Sequence, residues 1–202
     1  MCRFKSAIRG IQTFSDAMMH SANFGVLLLV TGKSIVRLCS EKVMNDIYFG
    51  PWKLGAGQIF YESPLSYGLV NLKPIVPGHV LVIPKRVCPR FGSLTHDEVV
   101  DLYLSVHHIG PVLEKYYGCS ALNIAMQDGS EAGQSVPHVH CHILPRKSGD
   151  FRRNDDVYEE LEKQDLNKVF QDDRKPRTML EMEEESLALR ELFPSNRPQI
   201  HG

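Results

Sequence analysis

Seven consecutive residues constrain this chain more than any other feature. His138-Val139-His140-Cys141-His142-Ile143-Leu144 alternates imidazoles with small or branched apolar side chains. A period of two is strand periodicity. It places His138, His140 and His142 on one face, about 7 Å apart per step, and sends Val139, Cys141 and Ile143 into a core. Three histidines side by side are poor packing material. Each ring has two nitrogens that need partners, crowding disfavours protonating all three, and unpartnered burial is costly. The segment therefore predicts a sheet with an apolar face and a polar, chemically active one. Pro145 is expected to end the strand.

Two chemistries fit such a face. His-x-His on a strand can place two nitrogens on one zinc ion. Alternatively, one neutral imidazole attacks as a nucleophile while its neighbours steer protons and orientation. The preceding loop, residues 128–137 (DGSEAGQSVP), favours the second. Gly129, Gly133, Gln134 and Ser135 offer backbone N–H groups, an amide and a hydroxyl, which are anion-cradling groups suited to phosphate. A zinc hydrolase adds a carboxylate base at a defined spacing, and the sequence has none there.

The surrounding chain alternates strand and helix signals. Phe60 to Leu72 predicts one or two short strands interrupted at Pro64, and Val76-Pro77-Gly78 is a turn. His79 to Pro84 is a short buried strand. Ser93 to Tyr117 predicts a long helix, capped by Ser93 or Thr95, with Leu94, Val99, Leu102, Val106, Ile109, Val112 and Leu113 at helical spacing. Gly118 would stop it, and Pro111 is expected to kink or split it. Ala121 to Gln127 alternates as a strand. Short connections on both sides of one long helix predict an α+β fold with a mainly antiparallel sheet. His96, His107 and His108 fall on the helix and read as surface or interface residues.

Composition narrows the class. The 202 residues carry 23 Lys+Arg against 24 Asp+Glu, a net charge of −1, which does not indicate a nucleic-acid protein. No apolar run approaches the ~18 residues of a membrane span. Five scattered cysteines without a CxxC pair, Cys2, Cys39, Cys88, Cys119 and Cys141, fit a reducing, cytoplasmic home rather than a disulfide framework. Residues 1–46 form a separate extension. Over 1–40 they hold five basic residues and one acid, Asp16, a composition shared by disordered leaders and by organelle (mitochondrial) transit peptides. Residues 47–150 hold the alternating strand and helix signals and the histidine segment and read as one domain. Residues 151–202 comprise an acidic, solvated segment and then a C-terminal helix over Thr178 to Phe193, with Leu180, Leu187 and Leu189 as its apolar stripe and Pro194 as its stop.

His138 to Leu144 resembles the His-φ-His-φ-His-φ-φ signature of the histidine triad superfamily, φ being apolar. SYGLVNLKPIVPGHVLVIPKR (66–86), QDGSEAGQSVPHVHCHILPRKSGDF (127–151) and RNDDVYEEL (153–161) look like its fragile histidine triad branch, the diadenosine polyphosphate hydrolases. The match covers about residues 47–193. The resemblance implies a five-stranded sheet with one long helix, and a two-step nucleotidyl transfer. His140 attacks the α-phosphorus of diadenosine triphosphate, ADP leaves, and water releases AMP. His142 assists the leaving group, His138 orients the cluster, and His79 fixes its geometry. Gln127, Gly133, Gln134, Ser135 and Val136 match the phosphate loop, and Asn71 a ribose contact. Leu54, Leu69 and Leu81 match apolar walls around adenine; Trp52 and Tyr158 match or approach substrate positions. The resemblance further implies a homodimer and a Mg²⁺ or Mn²⁺ ion that travels with the substrate, with no dedicated protein metal site. Hydrolysis of adenylyl sulfate or of nucleoside phosphoramidates, and slow-turnover nucleotide sensing in a signalling module, remain open with the same residues.

Overall fold

The computed structural model describes residues 28–31, 34–37, 46–163 and 174–198. The chain divides into two units, 1–44 and 45–202. Within the first, β1 (Leu28–Thr31) pairs antiparallel with β2 (Ser34–Arg37), with Leu29 opposite Val36 and Val30 opposite Ile35. The other extension residues, with Cys2 and Cys39, lie outside the described residues, and so does the expectation of a disordered or targeting leader for them.

The second unit opens with a small hairpin, β3 (Tyr48–Phe49) and β4 (Trp52–Lys53), turned at Gly50 with a φ of +57°. A five-stranded antiparallel sheet follows, built from β5 (Ile59–Glu62), β6 (Ser66–Val70), β7 (Val80–Pro84), β8 (Ala121–Met126) and β9 (Cys141–Arg146) in the order β5-β6-β7-β9-β8. Pro64 falls in the β5–β6 turn, so the 60–72 stretch is two strands. The β6–β7 connection turns at Gly78, whose φ is +78° and whose added Cβ would meet the Tyr117 ring at 2.4 Å. Only glycine fits that seat.

Helix α1 (His96–Tyr116) covers one face of the sheet. Thr95 and Glu98 form a capping box, and Arg86 grips Glu98 through two bonds of 2.8 and 2.7 Å. The Arg86 guanidinium holds the Glu98 carboxyl down at about 2. Leu102, Val106, Ile109 and Leu113 are buried against Val80, Val82, Val139, Cys141 and Ile143. Each such side chain contributes roughly 1.5–3 kcal/mol. The helix is continuous through Pro111, contrary to a split. Pro111 and His107, whose carbonyl loses its bond, are both on the exposed side, where water can serve that carbonyl.

The histidine strand also differs from expectation. β9 starts at Cys141 rather than His138 and runs through Pro145 to Arg146. Pairing with β7 ends at Ile143, so Pro145 faces only β8, opposite Leu122, where the missing N–H interrupts no ladder toward β7. The acidic segment is not wholly solvated. Arg146 binds Asp150 at 2.6 Å, and α2 (Asp156–Glu162) seats Val157 and Leu161 against Leu144 and Val76. The final helix, α3 (Met179–Arg190), buries Met182, Ser186 and Leu189, while Leu180 and Leu187 are exposed. Among the described residues no helix is long and apolar enough to cross a membrane.

Candidate active site

The face of the sheet opposite α1 carries the site. His142 on β9 lies opposite Leu81 of β7 and Ala125 of β8, so its side chain shares a face with Leu81 and Leu69. His138 and His140 precede the strand and are held by other means. The Gly50 N–H donates to His138 Nδ1 at 3.0 Å, and His138 Nε2 donates to the Pro84 carbonyl at 3.0 Å. Both His138 nitrogens are thereby used, which fixes its tautomer and makes it a brace. Val139 is anchored through its N–H to the Cys88 carbonyl at 2.7 Å. The Phe49 ring packs on His138 at 5.6 Å and edge-on to His140 at 5.3 Å.

The same logic assigns the remaining protons. His140 Nδ1 lies 2.7 Å from the His138 carbonyl, an acceptor, so Nδ1 carries the hydrogen and Nε2 keeps its lone pair. His79 Nδ1 accepts from the Ile75 N–H at 3.2 Å, so its Nε2–H donates to His142 Nδ1 at 2.9 Å. His142 then bears its hydrogen on Nε2, a buried atom with no partner. A buried orphan donor next to a nucleophile is a group awaiting a ligand oxygen.

Burial keeps the set neutral. It pushes His79 down to about 3, aided by the positive charges of Arg174 and Arg177, and His138 down to about 4. It also lowers His140, and lowers His142 well below the ordinary imidazole value, with His140 and His79 adding to the effect. The Cys141 thiol, buried in the core beneath, is pushed up to about 12 and is packing, not a nucleophile.

The structure brings Asn71, Leu54, Leu69 and Leu81 to this face. Asn71 is buried just past β6, with its amide nitrogen 3.1 Å from His79 Nε2 and its Oδ1 accepting from the Lys73 N–H at 3.0 Å. Leu54, Leu69 and Leu81 join Ile59 and Ile83 in one apolar cluster beside the histidines. In the loop, Gly133 has a φ of +81° and presses on Gln127, whose Nε2 would lie 2.6 Å from an added Cβ. Val136 is buried and Ser135 half-buried. Gln134 is engaged within the loop. Its Oε1 accepts from the Gly129 N–H at 2.8 Å and its Nε2 donates to the Pro89 carbonyl at 2.9 Å, so its amide braces the loop from within. Trp52 is 46% exposed on β4, and Tyr158 is 51% exposed on α2.

Phe49, Gly50 and Arg177 belong to the site's support and carried no sequence signal. One aromatic, one glycine and one arginine in unpatterned stretches resemble any surface turn. Among the described residues no group of three His, Cys, Asp or Glu side chains is disposed to hold a metal ion.

Comparison with known proteins agrees with this geometry. Residues 55–149 match the HIT domain. The chain is 46% identical over 179 residues to the bifunctional bis(5'-adenosyl)-triphosphatase/adenylylsulfatase FHIT of Arabidopsis thaliana, covering 82% of this chain and 97% of the relative. It is 48% identical over 154 residues to the bis(5'-adenosyl)-triphosphatase of Dictyostelium discoideum, covering 76% and 97%. Among solved structures it resembles the Plasmodium falciparum diadenosine triphosphate hydrolase in complex with cyclomarin A, at a TM-score of 0.61 and 26% identity over 78% of this chain and 90% of that one. Identity of this depth along nearly the whole length of two relatives, on a sheet that presents the three spaced histidines, means that the chain belongs to the histidine triad (HIT-domain) family, on its fragile histidine triad branch.

Proposed function

We propose that this protein is a dinucleoside polyphosphate hydrolase that cleaves diadenosine triphosphate to AMP and ADP through an adenylyl-phosphohistidine on His140. One observation carries the mechanism. The 2.7 Å bond from His140 Nδ1 to the His138 carbonyl leaves a neutral ring with its Nε2 lone pair free. The names of the Arabidopsis and Dictyostelium relatives support the substrate class.

In the first step His140 Nε2 forms a bond to the α-phosphorus. The bridging P–O bond breaks and its electron pair leaves with ADP. The His138 carbonyl, bonded to Nδ1–H, stabilises the positive charge that develops on the ring. The His142 Nε2–H donates a hydrogen bond to the departing oxygen. In the second step water bonds to phosphorus, the P–N bond breaks, AMP leaves, and the water's proton passes to solvent. Splitting one displacement into two lowers each barrier.

Gln127, Ser135 and the N–H groups around Gly133 and Val136 receive the phosphates. Gln134 serves by holding that loop in shape, and Tyr158 on α2 reaches the polyphosphate. Asn71 binds the ribose, Leu54, Leu69 and Leu81 enclose adenine, and Trp52 offers a stacking surface to the second base. Mg²⁺ or Mn²⁺ arrives with the polyphosphate as part of the substrate, the usual habit of a cation that keeps its waters. The same adenylyl transfer extends to adenylyl sulfate, an activity in the name of the Arabidopsis relative.

Turnover in ¹⁸O water tests the route. Label is expected in AMP and not in ADP; label in ADP would redirect the attack to another phosphorus. The protein acts as a homodimer. β8 is the outer strand of the sheet, with Ile124 half-exposed, and Val100, Tyr103 and Leu104 are exposed on α1. Sedimentation should give a dimer that Ile124→Lys converts to monomer, and a monomeric wild type would refute the pairing.

A further inference from the structure

We infer that Arg177, oriented by Glu185 and Tyr117, is a positioning residue for the nucleotide: its guanidinium clamps the Asn71 carbonyl and thereby aims the Asn71 amide and His79. This rests on the hydrolase reading above, in which Asn71 meets the ribose.

Asn71 lies one residue beyond the end of β6, so its carbonyl has no place in the ladder. Arg177 supplies the partner twice over, through Nε at 2.9 Å and through Nη2. The Arg177 backbone N–H donates to the adjoining Leu72 carbonyl at 2.9 Å. Two successive carbonyls at the ribose turn are therefore held by one residue from 106 positions downstream. Arg177 is itself aimed. Its Nη1 binds Glu185 at 2.5 Å, and Glu185 accepts the Tyr117 hydroxyl at 2.8 Å on its other oxygen. Thr178 then caps α3, accepting from the Glu181 N–H at 3.2 Å, which fixes the chain direction immediately after the arginine.

The chain of contacts does not stop at Asn71. Its amide nitrogen packs 3.1 Å from His79 Nε2, two donors side by side without a hydrogen bond between them, so the run of contacts from Tyr117 ends in packing of Asn71 on the His79 ring and acts first on the ribose group. Tyr117 also seats Gly78, the residue before His79. The arrangement exceeds what stapling α3 to the sheet requires. Two guanidinium N–H groups converging on one carbonyl oxygen, with the third nitrogen held by Glu185, fix the plane of the guanidinium as well as its distance from Asn71. Sub-ångström placement of a binding group is what sets affinity and reactivity. The positive charges of Arg177 and Arg174 also help to keep His79 neutral, the form in which its Nε2–H serves His142.

Steady-state kinetics on Arg177→Gln decides the matter. KM for diadenosine triphosphate and the inhibition constant for AMP should rise together by about tenfold, with kcat within about threefold of wild type. Millimolar guanidinium should recover part of the lost affinity in the variant and leave the wild type unchanged. An unchanged KM and AMP constant, or a loss confined to the fraction of active enzyme, overturns the clamp and leaves a staple. Should Arg177→Gln fail to fold, Glu185→Gln keeps the shape and one hydrogen bond; a rise of about threefold in KM supports the clamp and no rise overturns it. The two readings fail separately. Absence of wild-type turnover sinks the hydrolase assignment, while AMP titration by calorimetry on the same variants still decides the role of Arg177.

Discussion

His140→Asn is expected to lose turnover of diadenosine triphosphate by about 10⁴-fold or more while keeping its affinity for the substrate within about threefold. The asymmetry follows from what each nitrogen of the ring does. Nδ1–H is bonded to the His138 carbonyl, and Nε2 alone keeps a free lone pair. An asparagine amide can occupy the same volume and preserve the bond to the His138 carbonyl. It has no lone pair of comparable nucleophilicity, so no covalent adenylyl enzyme forms. In the proposed mechanism binding falls to other groups, Asn71, the loop around Gly133, and the apolar cluster of Leu54, Leu69 and Leu81, whose own contacts do not involve the His140 ring. Rapid acid quench with labelled substrate should trap label on wild-type protein and none on the variant, and equilibrium binding of substrate to the variant should saturate normally. Near-normal hydrolysis by His140→Asn would end the covalent mechanism, whereas lost binding would mean that the ring shapes the pocket.

Elements whose pattern is local were legible in the sequence. Ala121 to Met126 alternates and is a strand; Thr95 and Glu98 announce the start of α1; Gly78 and Gly118 mark turns and take positive φ. The three spaced histidines were legible as a cluster because their residue type is expensive to bury without a purpose, and His79 joined them only through the family resemblance. What escaped depended on partners distant in the chain. The alternation at 138–144 is real, yet His138 and His140 are not in the strand, because the His138 ring binds Gly50 and Pro84 and the His138 carbonyl takes the His140 ring and Gln134 instead of a neighbouring ladder. Pro145 does not end β9 because the strand has already outrun β7 there. Leu180 and Leu187 are exposed because α3 presents Met182, Ser186 and Leu189 to the sheet, a stripe with a serine in it that hydrophobicity alone does not select. Gln134 matches a phosphate-loop position, and nothing in its neighbours reveals that both ends of its amide are already engaged. Arg177 reaches Asn71 across 106 positions, and no spacing rule spans that distance.

Unfolding should become markedly easier as pH falls from about 6.5 toward 4, and the histidine cluster should be the cause. His79 and His138 sit at about 3 and about 4 in the folded protein, and His140 and His142 are lowered in the same direction by burial. An unfolded histidine titrates near 6.5. Below that value the unfolded chain binds protons that the folded chain refuses. The stability is therefore complete above about 6.5 and declines as pH drops toward each folded value. For His138 alone the interval from about 6.5 to about 4 corresponds to about 3 kcal/mol, comparable to a large core deletion. The carboxylates act in a lower window. Glu98 is held at about 2 by Arg86, so its contribution is lost only as pH falls from the ordinary carboxylate range toward 2. The two sources separate by pH. Urea unfolding at pH 7.5, 6 and 5 should show a falling midpoint at constant m-value, and calorimetry in buffers of different ionisation enthalpy should detect uptake of three to four protons, by about one for each cluster histidine, on unfolding near pH 5. His138→Asn should reduce that uptake by about one proton and flatten the slope, even if it lowers stability at pH 7.5. Uptake of fewer than about one proton in the wild type would mean that the cluster is charged in the folded state, and a charged His140 has no lone pair with which to attack.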